Sequence, residues 1–193
     1  MAERAVCQMD DQDLKSVVER ARSQDPEAFE QIYRRCGSRV LGLCRYLLGR
    51  QESAEDAASE VFLKLQHSLE SYDRSMPFSN WLLRVAGNVC TDVLRSQQRT
   101  QKVMVEEGLA LTTAASPEPS PLSAVITSEN RERVRDAVAR LPENYRVPLV
   151  LRYYGELSYE EIARQLGLER SHVAVLIFRA KQELRRKLAG RSK

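Results

Sequence analysis

Hydrophobic residues recur at three- and four-residue intervals along most of the chain, the spacing that places them on one face of an α-helix. The clearest case begins at Asp25, where Asp-Pro-Glu supplies an N-cap, a proline for the first turn and a well-placed acid. Its apolar face is formed by Phe29, Ile32, Tyr33, Val40, Leu43, Leu47 and Leu48. Gly49 is placed to end this helix. No alternating strand pattern competes with the helical one, so the sequence predicts an all-α protein.

Two more helical segments follow before residue 103. Ser53 and Asp56 match an S-x-x-D capping box, which predicts a helix that begins at Ser53. The later segment FSNWLLRVAGNVCTDVLR is helical in pattern, but Gly87 and Asn88 interrupt it. Because glycine inside a helix costs about 1 kcal/mol relative to alanine, we expect two helices with a break at these residues.

An abrupt change of composition marks residues 103–128. This segment contains no Lys or Arg, carries three glutamates, and clusters Pro117, Pro119 and Pro121 among small residues, as flexible linkers do. The sequence therefore predicts two small helical domains joined by a flexible acidic linker. The predicted parts are an N-terminal tail at 1–12, a first domain at 13–102, the linker at 103–128 and a second domain at 129–193.

The distribution of charge is more informative than the net charge of +3, which neither requires nor excludes a nucleic-acid partner. Positive residues crowd the last predicted helix and the C-terminus, against the single acid Glu183. They are Arg170, Arg179, Lys181, Arg185, Arg186, Lys187, Arg191 and Lys193. Phosphate backbone is the natural partner of such a surface. A solvated helix face is the alternative, although such faces usually mix both signs.

The segment LSYEEIARQLGLERSHVAVLIFRAKQELRRKL predicts a helix-turn-helix. Ser158 caps the first helix, Gly167 supplies the turn, and the second helix opens near Ser171. In this motif the N-terminal part of the second helix faces base edges in the major groove. An ordinary antiparallel helix pair is the alternative.

Metal, redox and membrane functions find little support. Cys7, Cys36, Cys44 and Cys90 lack the spacing of a metal or dithiol site, and we expect the last three to be reduced core thiols. The acidic cluster of Glu52, Glu55, Asp56 and Glu60 suits a divalent metal enzyme, but helix-start electrostatics explains much of it. The sequence predicts no catalytic residue, metal or cofactor. No apolar run approaches the length that spans a bilayer.

Three motifs together resemble bacterial RNA polymerase sigma factors of the extracytoplasmic-function (ECF) group. They are AFEQIYRRCGSRVLGLCRYLLGRQESAEDAASEVFLKL, FSNWLLRVAGNVCTDVLR and LPENYRVPLVLRYYGELSYEEIARQLGL, in the order of that family. The resemblance covers about residues 27–188 and implies sigma region 2 in the first domain and region 4 in the second. Such a protein is not an enzyme. It is an alternative sigma factor that directs core polymerase to promoters and opens the strands.

The resemblance also assigns roles in the first domain. SAEDAASEVF is similar to the docking surface for the polymerase clamp helices, with Glu55, Asp56 and Glu60 as its acids. FSNWLLRVAGN is similar to the part that melts the minus-ten element, where Asn88 would lie at a base pocket supported by Trp81. Arg84 and Arg95 add charge that holds phosphates. Tyr72, Phe78 and Trp81 either stack on unpaired bases or form plain core.

The second helix of the helix-turn-helix departs from the family pattern. Ala174 and Leu176 stand where Lys and Arg are common, and Val175 and Phe178 fall outside the inner stripe. That stripe is Val173, Ile177, Ala180, Leu184 and Leu188. Three interpretations of Val175 and Phe178 are open: contact with thymine methyls, a docking patch for an anti-sigma factor, or burial. The minus-thirty-five contacts are expected from Arg170, Ser171, His172, Ala174, Val175, Arg179 and Lys181.

The resemblance implies three kinds of partner: core RNA polymerase, promoter DNA and an anti-sigma factor. Polymerase would be contacted at the clamp helices of the beta-prime subunit and the flap of beta. We expect a cytoplasmic bacterial protein without membrane insertion, held at a membrane only through an anti-sigma factor. Two alternatives stay open. A stand-alone helix-turn-helix regulator leaves the first domain unexplained, and a sigma-like adaptor would bind polymerase without reading a promoter.

Overall fold

The structure, a computed structural model, describes residues 11–106 and 127–189, with side chains for residues 14–100 and 133–189. The described regular structure is entirely helical, which confirms the all-α prediction. A first bundle consists of α1 (Asp11–Arg22), α2 (Pro26–Leu48), α3 (Gln51–Ser68), a 3₁₀ turn (Leu69–Ser71) and α4 (Phe78–Glu106). A second bundle consists of α5 (Thr127–Ala139), α6 (Glu143–Tyr153), α7 (Tyr159–Leu166) and α8 (Arg170–Ala189).

Helix α2 is the centre of the first bundle and packs against α1, α3 and α4. It begins as predicted, because the Asp25 carboxylate accepts a hydrogen bond from the Glu27 amide at 3.0 Å. A hydrogen bond from Arg20 lowers the pKa of that carboxyl and keeps it charged. The apolar face lies in the core, except that Tyr33 is 59% exposed. Gly49, at φ 78°, ends the helix in the left-handed region that suits glycine.

The predicted capping box of α3 is wrong. The helix begins at Gln51, with Arg50 at the N-cap position and no side-chain hydrogen bond there. Ser53 and Asp56 consequently lie inside the helix. The reason is the preceding turn: after Gly49 the chain re-enters helical geometry at once, before Ser53 is reached.

The predicted break at Gly87 and Asn88 is also wrong, because α4 runs without interruption from Phe78 to Glu106. Gly87 is buried, and a Cβ atom on it would lie 2.9 Å from a methyl of Leu151 in the second bundle. The same atom would lie 2.8 Å from the side-chain nitrogen of Gln165. Glycine here permits a close approach between bundles rather than a change of direction.

Helix α8 is the centre of the second bundle and packs against α5, α6 and α7. The Ser158 hydroxyl accepts the Glu161 amide while the Glu161 carboxylate accepts the Ser158 amide, so the predicted cap is a full capping box. Gly167, at φ 68°, adopts the left-handed conformation that ends α7. The chain enters α8 three residues later, which confirms the helix-turn-helix.

Other sequence predictions have mixed outcomes. Cys36, Cys44 and Cys90 are buried, as expected, and a hydrogen bond with Cys44 together with burial raises the pKa of Cys90. Helix α4 extends four residues into the predicted linker, and α5 begins at Thr127 within it. The rest of the linker and the tail with Cys7 lie outside the described residues. None of the described helices is both long and apolar enough to cross a membrane.

The two bundles contact each other directly, with α2 against α5 and α6 and α4 against α7. The rings of Tyr46 and Tyr154 lie 5.2 Å apart across this boundary. A Cβ atom on Gly42 would lie 2.1 Å from the Tyr154 hydroxyl. The contact therefore depends on a glycine in α2 as well as on Gly87 in α4.

We expect Gly42→Leu to separate the bundles, because overpacking of this kind costs about 1 to 3 kcal/mol. The measurement is the distance distribution between nitroxide labels on cysteines substituted for Gln66 and Gln182, with Cys7→Ser. Gly37→Leu is the matched control, since a Cβ there meets nothing nearer than 3.9 Å. The Gly37→Leu control should keep the short label-to-label distance that the packed bundles give. An unchanged distribution for Gly42→Leu would contradict the prediction.

Candidate nucleic-acid interface

Trp81, near the start of α4, lies in the core and is 5% exposed. Its ring centroid is 5.3 Å from that of Tyr72 and 5.5 Å from that of Phe78. The three rings form one buried cluster, and a hydrogen bond from the Tyr72 hydroxyl to the Met76 carbonyl oxygen at 2.8 Å holds its edge. In this structure none of the three offers an open face for stacking on a base.

Arg84, Asn88 and Arg95 lie along one side of α4, because they are four and seven residues apart. Asn88 is exposed. Arg84 forms an ion pair with Glu161 of α7, and the Arg95 guanidinium donates to the carbonyl oxygen of Gln165 at 3.1 Å. The structure thus brings the two predicted cations to one edge, where both contact the second bundle.

Helix α8 buries the first part of the stripe expected from its sequence, whereas Leu184 and Leu188 at its end are half-buried. Val173, Ile177 and Ala180 are fully buried, and Leu176 joins them at 8% exposure. Val175 and Phe178 point outward, with exposures of 46% and 60%. The interpretation that both are buried is therefore wrong, and the two interpretations that need them exposed remain.

The polar residues of α8 are accessible at its N-terminal end. Ser171 and His172 are exposed, whereas Ala174 is half-buried. Arg170 is exposed but paired with Glu160 of α7, and its guanidinium lies 5.8 Å from the centre of the Tyr159 ring. The pKa of the Glu160 carboxyl is lowered mainly by a hydrogen bond from the backbone amide of Glu160 itself. The hydrogen bond from Arg170 is the second cause.

Two further predicted cations lie on the middle of the same helix. Arg179 is exposed and faces solvent. The Lys181 amine donates to the Tyr153 hydroxyl at 2.9 Å, which ties α8 to α6. Because α8 projects cations and two apolar side chains from its free surface, it can contact both phosphates and base edges.

The acidic residues predicted for polymerase docking lie on the surface of α3. Glu55 accepts a hydrogen bond from Gln51 at 2.9 Å, and Glu60 pairs with Lys64 at 3.1 Å. Asp56 is exposed. No three His, Cys, Asp or Glu side chains within the described ranges come together as a metal site.

One side chain of this surface was not among the residues predicted from the sequence. Leu63 is 70% exposed and lies seven residues after Asp56 and three after Glu60, so it shares their side of α3. Its position outside the buried stripe of Val61 and Leu65 was the available signal. The acids therefore border an exposed apolar side chain rather than a purely charged patch.

Comparison with known proteins gives matches to two family regions in sequence order. Residues 32–100 match Sigma-70 region 2, and residues 131–184 match Sigma-70 region 4. The ECF RNA polymerase sigma factor SigW of Bacillus subtilis is 29% identical over 180 residues, covering 91% of this chain and 96% of the relative. The ECF RNA polymerase sigma-E factor of Haemophilus influenzae is 30% identical over 179 residues, covering 90% and 94%.

Two solved structures share the fold. One is CnrH in complex with the cytosolic domain of CnrY, with a TM-score of 0.57, 23% identity, and coverage of 91% of this chain and 97% of that chain. The other is RpoE in complex with the anti-sigma factor NepR from Bartonella quintana, with a TM-score of 0.60, 18% identity, and coverage of 86% and 98%.

Both regions lie in order on one chain that aligns with these relatives over almost their whole length. The matched proteins are transcription initiation factors rather than catalytic enzymes. The chain therefore belongs to the Sigma-70 family of RNA polymerase sigma factors, and within it to the ECF group.

Proposed function

We propose that two parts of this alternative sigma factor have separate roles. Residues 13–102 dock polymerase and open the minus-ten element. Residues 129–193 bind the minus-thirty-five element. Residues 103–128 join the two as a linker. The observation that carries the proposal is the presence of regions 2 and 4 on one chain, each with exposed charged residues suited to its partner. It acts without catalysis and without a cofactor.

Docking on polymerase is proposed for the exposed side of α3. Asp56, Glu60 and the apolar Leu63 share this side, and acids of this kind suit basic clamp helices of the beta-prime subunit. A mixed apolar and charged surface is typical of protein interfaces, where charge guides the encounter and apolar contact adds affinity. The second bundle would contact the flap of beta.

Strand opening is proposed for the side of α4 that carries Arg84, Asn88 and Arg95. Cations hold the phosphates of a separated strand, while the exposed Asn88 amide can hydrogen-bond a base turned out of the stack. Unstacking costs a few kcal/mol per base, which these contacts must offset. The buried Trp81 would support this surface from the core side rather than touch the base.

Regulation by an anti-sigma factor is also proposed. Its support is that the RpoE match is a complex with an anti-sigma factor, and that Leu63 is an exposed apolar side chain. The protein would act in the cytoplasm, and a membrane-bound anti-sigma factor would hold it at the membrane.

Run-off transcription tests the proposed function. Purified bacterial core polymerase is combined with a library of promoter fragments, with and without this protein. Discrete transcripts that require the protein support a sigma factor and give its promoter sequence. Polymerase binding without any transcript would support the adaptor, and tight duplex binding without polymerase would support the stand-alone regulator.

Arg170→Ala should lower transcription from the selected promoter about tenfold or more, because a bidentate arginine contact to a base contributes about 1 to 3 kcal/mol. Binding to core polymerase should change little, since Arg170 lies on α8 and not on α3, the helix proposed to dock the clamp helices. The control is Arg135→Ala, which changes an exposed arginine of α5 and should keep both transcription and polymerase binding. Equal loss of transcription and polymerase binding would remove Arg170 from base recognition.

A further inference from the structure

The outward face of α8 carries an unusual pair of side chains. Ser171, Val175, Phe178 and Gln182 follow one another at intervals of four, three and four residues, which aligns them along the helix. Val175 is 46% exposed and Phe178 60% exposed, whereas Val173 and Ile177 on the opposite face are buried. Two apolar residues therefore occupy the centre of the surface that a recognition helix presents to DNA.

The charges around this pair have a definite arrangement. At 100° per residue, Arg179 lies to one side of Val175 and Phe178 and Arg185 lies to the other. Both arginines are exposed. The single acid of α8, Glu183, is half-buried and pairs with two cations of the same helix, Arg186 at 2.6 Å and Lys187 at 3.7 Å. The outward face thus has an apolar centre between two cationic edges.

This arrangement is complementary to the major groove of duplex DNA. The groove has phosphates along both edges and base edges in its centre, and its distinctive apolar feature is the C5 methyl group of thymine. Valine and phenylalanine cannot satisfy the hydrogen-bonding groups of any base edge, and burying those groups unpaired is costly. Thymine has a single acceptor in the groove, O4, and adds an apolar methyl group. Thymine is the base edge that such a surface tolerates best.

We propose that Val175 and Phe178 select thymines in the minus-thirty-five element by contact with their methyl groups. This inference rests on the proposed function. It gives the apolar residues a specificity role, while Arg179 and Arg185 hold the flanking phosphates. The promoter of this sigma factor then carries A·T pairs in this element, with thymine on the strand nearer α8.

Deoxyuridine substitution tests the proposal, because it removes the thymine methyl and leaves every hydrogen-bonding group in place. Each thymine of the minus-thirty-five element in a selected promoter is replaced in turn. Open-complex formation by the full chain with core polymerase is then measured. At one or two positions the wild-type protein should lose about fourfold in affinity, the value of one buried methyl group.

The same promoters are then tested with Val175→Ala and Phe178→Ala. Each variant should bind the thymine promoter more weakly and lose its response to deoxyuridine at one position. Val134→Ala, another exposed apolar residue of the second bundle, is the control and should respond as the wild type does. Circular dichroism establishes that the variants remain helical.

Three results would overturn the inference. The first is that deoxyuridine has no effect at any position. The second is that its effect is the same in the wild type and in both variants. The third is that both variants use the promoter as well as the wild type does. The last result would assign Val175 and Phe178 to a protein partner. Failure of the proposed function can be distinguished from these results, because the unmodified promoter would then give no transcript with the wild-type protein.

Discussion

Replacing Trp81 with alanine is expected to lower the free energy of unfolding of the first bundle by about 3 to 5 kcal/mol, the usual loss for a buried tryptophan. Trp81 is 5% exposed and packs against both Tyr72 and Phe78, so its removal leaves a cavity between two rigid rings. Domains of this size have about 5 to 15 kcal/mol of stability in total. Urea unfolding followed by circular dichroism measures the loss.

Two further substitutions are the controls for the Trp81→Ala measurement. Trp81→Phe retains an aromatic ring and should cost clearly less than Trp81→Ala. Leu63→Ala removes a side chain that is 70% exposed and should change stability by no more than about 0.5 kcal/mol. If Trp81→Ala cost less than about 1 kcal/mol, the aromatic cluster would not be a core of the first bundle.

Reversing the charge of Asp56 and Glu60 together, as Asp56→Arg and Glu60→Arg, is expected to lower polymerase affinity by at least about 30-fold. Loss of a close charge pair at an interface costs about 2 kcal/mol or more, and reversal adds repulsion. Transcription should fall in parallel. Neither residue is buried, so the helix content of the protein should not change.

Glu70→Arg is the matched control for this pair. It reverses an exposed carboxylate of the first bundle that lies beyond the end of α3, in the 3₁₀ turn. The control should bind polymerase as the wild type does. Polymerase affinity that survives the double reversal would place the docking surface elsewhere on the first bundle.

Much of the fold could be predicted because local patterns decide it. Asp25 with Pro26, and Ser158 with Glu161, specify helix starts through hydrogen bonds within a few residues. The capping box at Ser53 was wrong because a competing local event, the turn at Gly49, sets the start of α3 earlier. Gly87 was misjudged for another reason. Its role depends on Leu151 and Gln165, which are distant in sequence.

The site was predictable in part for the same reason. Helical spacing placed Val173 and Ile177 inside and left Val175 and Phe178 outside, which the structure confirms. Helical periodicity also placed Leu63 outside the core. An isolated exposed leucine does not by itself indicate a binding surface unless its acidic neighbours are considered with it. The pairing of Arg84 with Glu161 could not be foreseen, because no local pattern links residues of different bundles.

That ion pair has a consequence for promoter affinity. The Arg84 guanidinium that the proposed site would offer to a DNA phosphate is already paired with the Glu161 carboxylate, and Arg95 donates to the Gln165 carbonyl oxygen. On the proposed function, contact between the bundles would therefore weaken the contact of these cations with the separated strand. The apparent dissociation constant for the minus-ten strand would then rise as the fraction of molecules whose bundles are apart falls. On the proposed function, Gly42 and Gly87, which permit the close approach of the bundles, would thereby help to set how strongly this protein binds a promoter.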